Sequence, residues 1–231
     1  EDIKSSIRKK DVHFPTSRLV CLENTHNRCF GMPLDMNYIN KVSEIVKNNS
    51  MMLHVDGARI FNAATALNKS VAELTSEVDS VSFCLSKGLS APSGSLLCGK
   101  EWFIEKARFN RKALGGGMRQ SGILAAAGIV ALNEMPKKII MDHQNAITLA
   151  KGLNAISGIS IDLEKVKTNI IYFKLDHSKI DSVTLINSML KKNIKFFELG
   201  PNWFRLVTHA GINEEDIDHV LIQFKDLFSK I

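Results

Sequence analysis

Paired cysteines are missing from this sequence. Its four cysteines stand at positions 21, 29, 84 and 98 with no C-x-x-C pair, so zinc is not supported and a reducing, cytoplasmic-type compartment is expected. Cys21, Cys84 and Cys98 lie in apolar runs and read as small buried core residues. Long apolar runs are missing as well. None approaches the ~18 residues that a membrane span needs, and the charged opening EDIKSSIRKK is unlike a secretory leader. There is no internal repeat or low-complexity tract. The formal charge is +6, from 30 basic and 24 acidic residues, yet no aromatic-interleaved basic stripe accompanies it. The lysines are spread along the chain apart from short pairs at 9–10, 137–138 and 191–192. A solvated basic surface with a mild attraction for anionic ligands is expected, and no nucleic-acid partner.

What is present is an ordinary globular composition. The chain has 231 residues, 45% apolar and 23% charged, enough for one large domain or two smaller ones with a core. It opens on Glu1 in text that reads as mid-helix, so a piece of a longer or processed protein is expected. SRLVCLENT (17–25), MMLHVDGAR (51–59), DSVSFCLS (79–86) and GSLLCG (94–99) read as strands. Helical spacing falls over 34–49, 61–67, 71–75, 101–114 and 119–135, the last rich in Ala and Gly and able to pack very closely. This alternation predicts an α/β architecture with a largely parallel sheet over 1–138. Beyond it, a helix over 139–157 ending at Gly158 is expected. Strands over 159–163, 169–175, 193–199 and 203–209, with helices near 182–192 and from 213, predict a smaller α/β domain over 139–231.

Polar groups collect at the predicted strand ends: Glu23-Asn24-Thr25-His26, then His54, Asp56 and Arg59, then Ser86-Lys87. In an open α/β sheet, ligands bind beyond the carboxyl ends of the strands. Each residue keeps a plain alternative. Lys87 fits a surface lysine, or an amine for a Schiff base to a carbonyl, with Ser90-Ala91-Pro92-Ser93-Gly94 clearing space for a flat ligand. Asp56 fits a helix N-cap, or a carboxylate under a pyridine nitrogen. Arg59 fits a partner for Asp56. Gly115-Gly116-Gly117 fits a turn between helices, and lacks the rest of a P-loop or dinucleotide fingerprint.

Together these stretches resemble the L-threonine aldolase family, low-specificity type, within the pyridoxal-phosphate enzymes of the aspartate-aminotransferase-like fold (fold type I). The matching text is HFPTSRLVCLENTHN (13–27), LHVDGARIFNAA (53–64), DSVSFCLSKGLSAPSGSLLCG (79–99), RKALGGGMRQSGILAAAG (111–128) and FRLVTHAG (204–211), in family order. The resemblance implies pyridoxal 5'-phosphate as cofactor and cleavage of L-threonine and L-allo-threonine to glycine and acetaldehyde. It implies that Lys87 forms the Schiff base with the cofactor, that Asp56 faces the pyridine nitrogen and that Arg59 lies near the phenolic oxygen. His13 matches a histidine at the substrate β-hydroxyl, and Arg205 the arginine that clamps the substrate carboxylate. Lys112 and Arg119 match basic residues at the cofactor end that reach a neighbouring subunit's site in a homotetramer. A Gly-Thr phosphate-binding turn and a ring-stacking histidine of the family would both precede residue 1. Other lyases of the superfamily and a non-catalytic paralogue are the competing readings.

Overall fold

The apolar runs between residues 17 and 99 become one four-stranded sheet. In the computed structural model, which describes residues 1–230, β1 (Leu19–Glu23), β2 (Met52–Asp56) and β3 (Ser80–Cys84) run parallel, and β4 (Ser95–Gly99) lies antiparallel beside β3. The described chain groups into two compact units, residues 1–25 with 34–134, and residues 26–33 with 135–230.

In the first unit a short helix α1 (Asp2–Ser6) precedes β1, and α2 (Met36–Asn48) crosses between β1 and β2. The carboxylate of Asp35 accepts from the Tyr38 N–H and caps α2. Its apolar positions recur at helical spacing, so Ile39, Val42 and Val46 are buried together with Met51 and Leu53. Helices α3 (Ile60–Leu67) and α4 (Val71–Leu74) then carry the chain to β3. Ser70 and Glu73 form a reciprocal capping box at α4. After β4 come α5 (Glu101–Ala113) and α6 (Gly122–Glu134).

The expected close packing of α6 is realised only in part. At Gly128 a Cβ would lie 2.9 Å from Leu85 Cδ1, but among its residues only Gly128 and Ala131 are buried. Ile123, Ile129 and Val130 face outward. The cysteine expectation is corrected as well: Cys21 and Cys98 are exposed and Cys84 is half-buried. Cys21 points away from the β1 face on which Val20 and Leu22 pack toward α2. Cys98 belongs to β4, an edge strand with every residue exposed.

The second unit contains α7 (Ile139–Asn154), β5 (Ile159–Ser160), β6 (Ile170–Leu175), α8 (Ser182–Leu190), β7 (Phe197–Gly200), β8 (Trp203–Val207) and α9 (Glu214–Phe228). Its strands form an antiparallel sheet in the order β5-β6-β8-β7. One face of β6 and β8, with Ile171, Phe173, Phe204 and Leu206, packs against Leu149 and Leu153 of α7 and Phe224 of α9. The Phe173 and Phe204 rings stack at 4.8 Å. Asn213 and Asp216 form a capping box at the start of α9.

Helix α7 stops earlier than expected. Its last residue is Asn154, whose side chain accepts from the Ile161 N–H at 2.8 Å. Gly158 comes later, with φ +89°, in the turn into β5, where a Cβ would strike His177 at 2.5 Å.

Candidate functional site

Strand register decides what stands at the carboxyl edge of the first sheet. Glu23 pairs with Asp56 across β1 and β2, and Asp56 pairs with Ser82 across β2 and β3. Parallel strands that end in step deliver their next residues to one edge. Asp56 is exposed there, with one carboxylate oxygen accepting from the Ala58 N–H at 2.9 Å. The turn after it is tight: the Gly57 N–H donates to the Ser82 carbonyl at 2.7 Å, and a Cβ at Gly57 would meet that oxygen at 2.9 Å. Arg59, half-buried, is the N-cap residue just before α3.

Lys87 lies beyond the end of β3, exposed, in a loop whose frame is bonded to itself. The Ala91 N–H donates to the Leu85 carbonyl, the Leu85 N–H to the Gly94 carbonyl and the Ser90 N–H to the Lys87 carbonyl, each at 2.9 Å. Leu85, Leu89 and Ala91 are buried, so the loop is seated by its apolar residues while Lys87 stays free of them. Gly88 is pressed onto α3, where a Cβ would lie 2.7 Å from Asn62 Oδ1. A side chain there would have to displace the buried Asn62, and this close approach holds the chain next to the lysine.

The other candidates of the first unit are placed differently. His13 is exposed before β1, its backbone N–H and its Nδ1 both against Asp11 Oδ1, at 2.8 and 2.9 Å. That pairing, the backbone hydrogen bond first, holds the Asp11 carboxyl below the usual range. Lys112 lies in the last turn of α5 and Arg119 precedes α6, both exposed. Gly117 folds back onto the Lys112 side chain, where a Cβ would meet its Cδ at 2.9 Å, so the triple glycine lets the turn cover the lysine stem.

Arg205 belongs to β8 of the second unit, half-buried, on the sheet face opposite the phenylalanine core. Its cross-strand neighbours are Tyr172 on β6 and Phe197 on β7. Its guanidinium carbon sits 5.8 Å from the Phe197 ring centroid, and its Nη1 donates to Asn27 Oδ1. The buried Nε has no hydrogen-bond partner.

Asn27 comes from the segment 26–33, which belongs to the second unit although it follows β1. Asn24, fully buried, closes this excursion. Its side-chain amide donates to the Leu34 carbonyl and accepts from the Leu34 N–H, both at 3.1 Å. Neither asparagine carries a role in the sequence reading, because nothing local to ENTHN marks which polar side chain faces which element.

The family model described as "Beta-eliminating lyase" matches residues 1–176. The chain is 42% identical over 228 residues to the low-specificity L-threonine aldolase 1 of Arabidopsis thaliana, a match spanning 97% of this chain and 64% of that protein. It is 36% identical over 230 residues to the low specificity L-threonine aldolase of Escherichia coli K12, with 100% of this chain and 66% of that protein covered. The chain therefore spans slightly less than two thirds of the length of these relatives. Among solved structures, the threonine aldolase of Leishmania major superposes with a TM-score of 0.80 at 18% identity, covering 98% of this chain and 66% of that one. That likeness establishes the fold, an α/β architecture of fold type I.

Proposed function

The chain belongs to the beta-eliminating lyase family, and from that premise we propose that the full protein is a pyridoxal-phosphate-dependent aldehyde-lyase. Its substrates would be L-threonine and L-allo-threonine, cleaved to glycine and acetaldehyde. The observation that carries the reading is the delivery of Asp56 and Lys87 to one sheet edge by the β2–β3 register, in a chain 42% identical to a named threonine aldolase.

The residues present suit the cofactor. An exposed primary amine and an exposed carboxylate stand beyond adjacent strands, and the loop around the amine is built of Gly88, Ser90, Ala91 and Gly94 rather than bulky side chains. When bound, the cofactor supplies an electron sink for the pair left on Cα when the Cα–Cβ bond breaks. Lys87 would tether it through the ε-amine. Asp56 would hold a proton on the ring nitrogen, and Arg59 would donate to the phenolic oxygen. Lys112 and Arg119 would supply positive charge at the cofactor's anionic end, from a neighbouring subunit in a homotetramer. His13 would bind the substrate β-hydroxyl and take its proton. Arg205 would hold the substrate carboxylate with its fork of N–H donors.

In this reading residues 1–138 contribute to the cofactor-binding domain and 139–231 form the small domain. The cell would use the enzyme for threonine breakdown and glycine supply. Four unpaired cysteines support a reducing cytoplasmic location, and no described helix is long and apolar enough to cross a membrane.

The test uses full-length protein, wild type and Lys87→Ala. Wild type is expected to show the absorption of the bound cofactor and to release acetaldehyde from L-threonine, and the variant to do neither. β-Elimination from another amino acid without acetaldehyde would establish a different lyase. Absence of any cofactor band would establish a non-catalytic paralogue.

A further inference from the structure

We propose that Asn27 is a positioning residue for Arg205, holding the guanidinium in place while leaving its positive charge available to a carboxylate. This rests on the reading that Arg205 binds the substrate carboxylate.

Arginine brings a long, flexible stem, and ordering it costs entropy that a binding site recovers only if the fork is held in advance. The structure supplies the holding groups within one unit. The Phe197 ring lies against the guanidinium, and Asn27 Oδ1 accepts from Nη1. Asn27 is itself fixed: its carbonyl accepts from the Tyr172 hydroxyl at 2.9 Å, and Tyr172 is the residue that pairs with Arg205 across β6 and β8. The segment is pinned further by Thr168, whose hydroxyl donates to the Gly31 carbonyl at 2.8 Å, and by Phe30, whose ring lies 4.9 Å from that of Tyr172.

The chemistry of the partner is the second half of the argument. Arg205 makes no ion pair among the described residues, and its buried Nε has no partner. A buried donor on a cation left without an acceptor costs free energy unless a ligand supplies one. Asparagine offers a neutral oxygen. An aspartate at the same place would neutralise the guanidinium and compete with an incoming carboxylate, whereas the amide orients it and leaves the charge unspent. The ligand class that completes this arrangement is a carboxylate.

Steady-state kinetics on the full-length enzyme test this with Asn27→Ala, Asn27→Asp, Arg205→Ala and the Asn27→Ala/Arg205→Ala pair. Asn27→Ala is expected to raise KM for L-threonine about ten-fold to one-hundred-fold, the loss of one hydrogen bond to a charged group, with kcat changed far less. Asn27→Asp, of the same shape, is expected to raise KM as well. Inhibition by L-threoninamide, which lacks the carboxylate, should be unchanged in both. In the Arg205→Ala background, Asn27→Ala should add little, because coupled residues are non-additive. An unchanged KM in Asn27→Asp, equal weakening of L-threonine and L-threoninamide, or full additivity would overturn the proposal. If Arg205→Ala itself leaves KM unchanged, the assignment of Arg205 falls, a result distinct from the others.

Discussion

Gly88 and Asn62 are in such close approach that a methyl group on Gly88 would sit 2.7 Å from Asn62 Oδ1. Asn62 is buried on α3, so it has little room to yield. The residue after Lys87 is thereby packed tightly against the helix for which Arg59 is the N-cap residue. Gly88→Ala is expected to destabilise the chain by about 1–3 kcal/mol, the usual cost of overpacking, and to weaken cofactor retention in the full-length protein. A denaturant titration with the cofactor absorption followed in parallel checks both. An unchanged midpoint would show that Asn62 moves aside freely.

Asn24 closes the excursion of residues 25–33 by bonding both backbone groups of Leu34. Asn24→Ala leaves that N–H and that carbonyl without their partner in a partly buried setting. The expected loss is about 1–3 kcal/mol for each group that water does not reach. Asn24→Asp is the informative comparison, since it keeps an acceptor for the Leu34 N–H but loses the donor to the carbonyl. The buried carboxylate then also faces the Leu34 carbonyl oxygen, so at neutral pH this variant should be no more stable than alanine in the same titration.

Asp142 and His143 are adjacent, buried, and shifted in opposite senses. Burial pushes the Asp142 carboxyl up from 3.8 to about 6, with His209 acting against that shift, and pushes the His143 imidazole down from 6.5 to about 4. The folded state binds the Asp142 proton more tightly than the unfolded state does. That contribution to stability is therefore present below pH 3.8 and lost as pH rises through 6. His143 behaves in reverse, because the fold favours its neutral form: its contribution is present above pH 6.5 and lost as pH falls through 4. The two slopes oppose each other between about pH 4 and 6. Asp142→Asn should remove one of them, so that the variant's stability rises with pH across this window while that of wild type stays flatter. Unfolding free energies measured from pH 4 to 7 check it, and parallel curves would contradict the assigned burial of the carboxyl.

Much of the local structure was legible in the residues themselves. The helical spacing over 34–49 that becomes α2, and that from 213 that becomes α9, acts within a few residues, so its consequence appears at the sequence level. The loop around Lys87 was readable for the same reason, as a run of small residues directly after an apolar strand.

Other features depended on which surfaces meet. An apolar strand pattern shows that one side avoids water but not whether a layer covers the other, and so Cys21 and Cys98 read as core residues although they are exposed. The end of α7 turned on the Asn154 side chain rather than on the glycine that follows it. Asn27 and Arg205 are 178 positions apart. Only the folded backbone brings that amide to that guanidinium, through the pairing of β6 with β8 and the seating of residues 26–33 in the second unit. Lys87 and Asp56 stood out as candidates by their place at the ends of apolar strands, while the partner of Arg205 was decided by tertiary contact, because a hydrogen-bond partner is a matter of position in space and not of place along the chain.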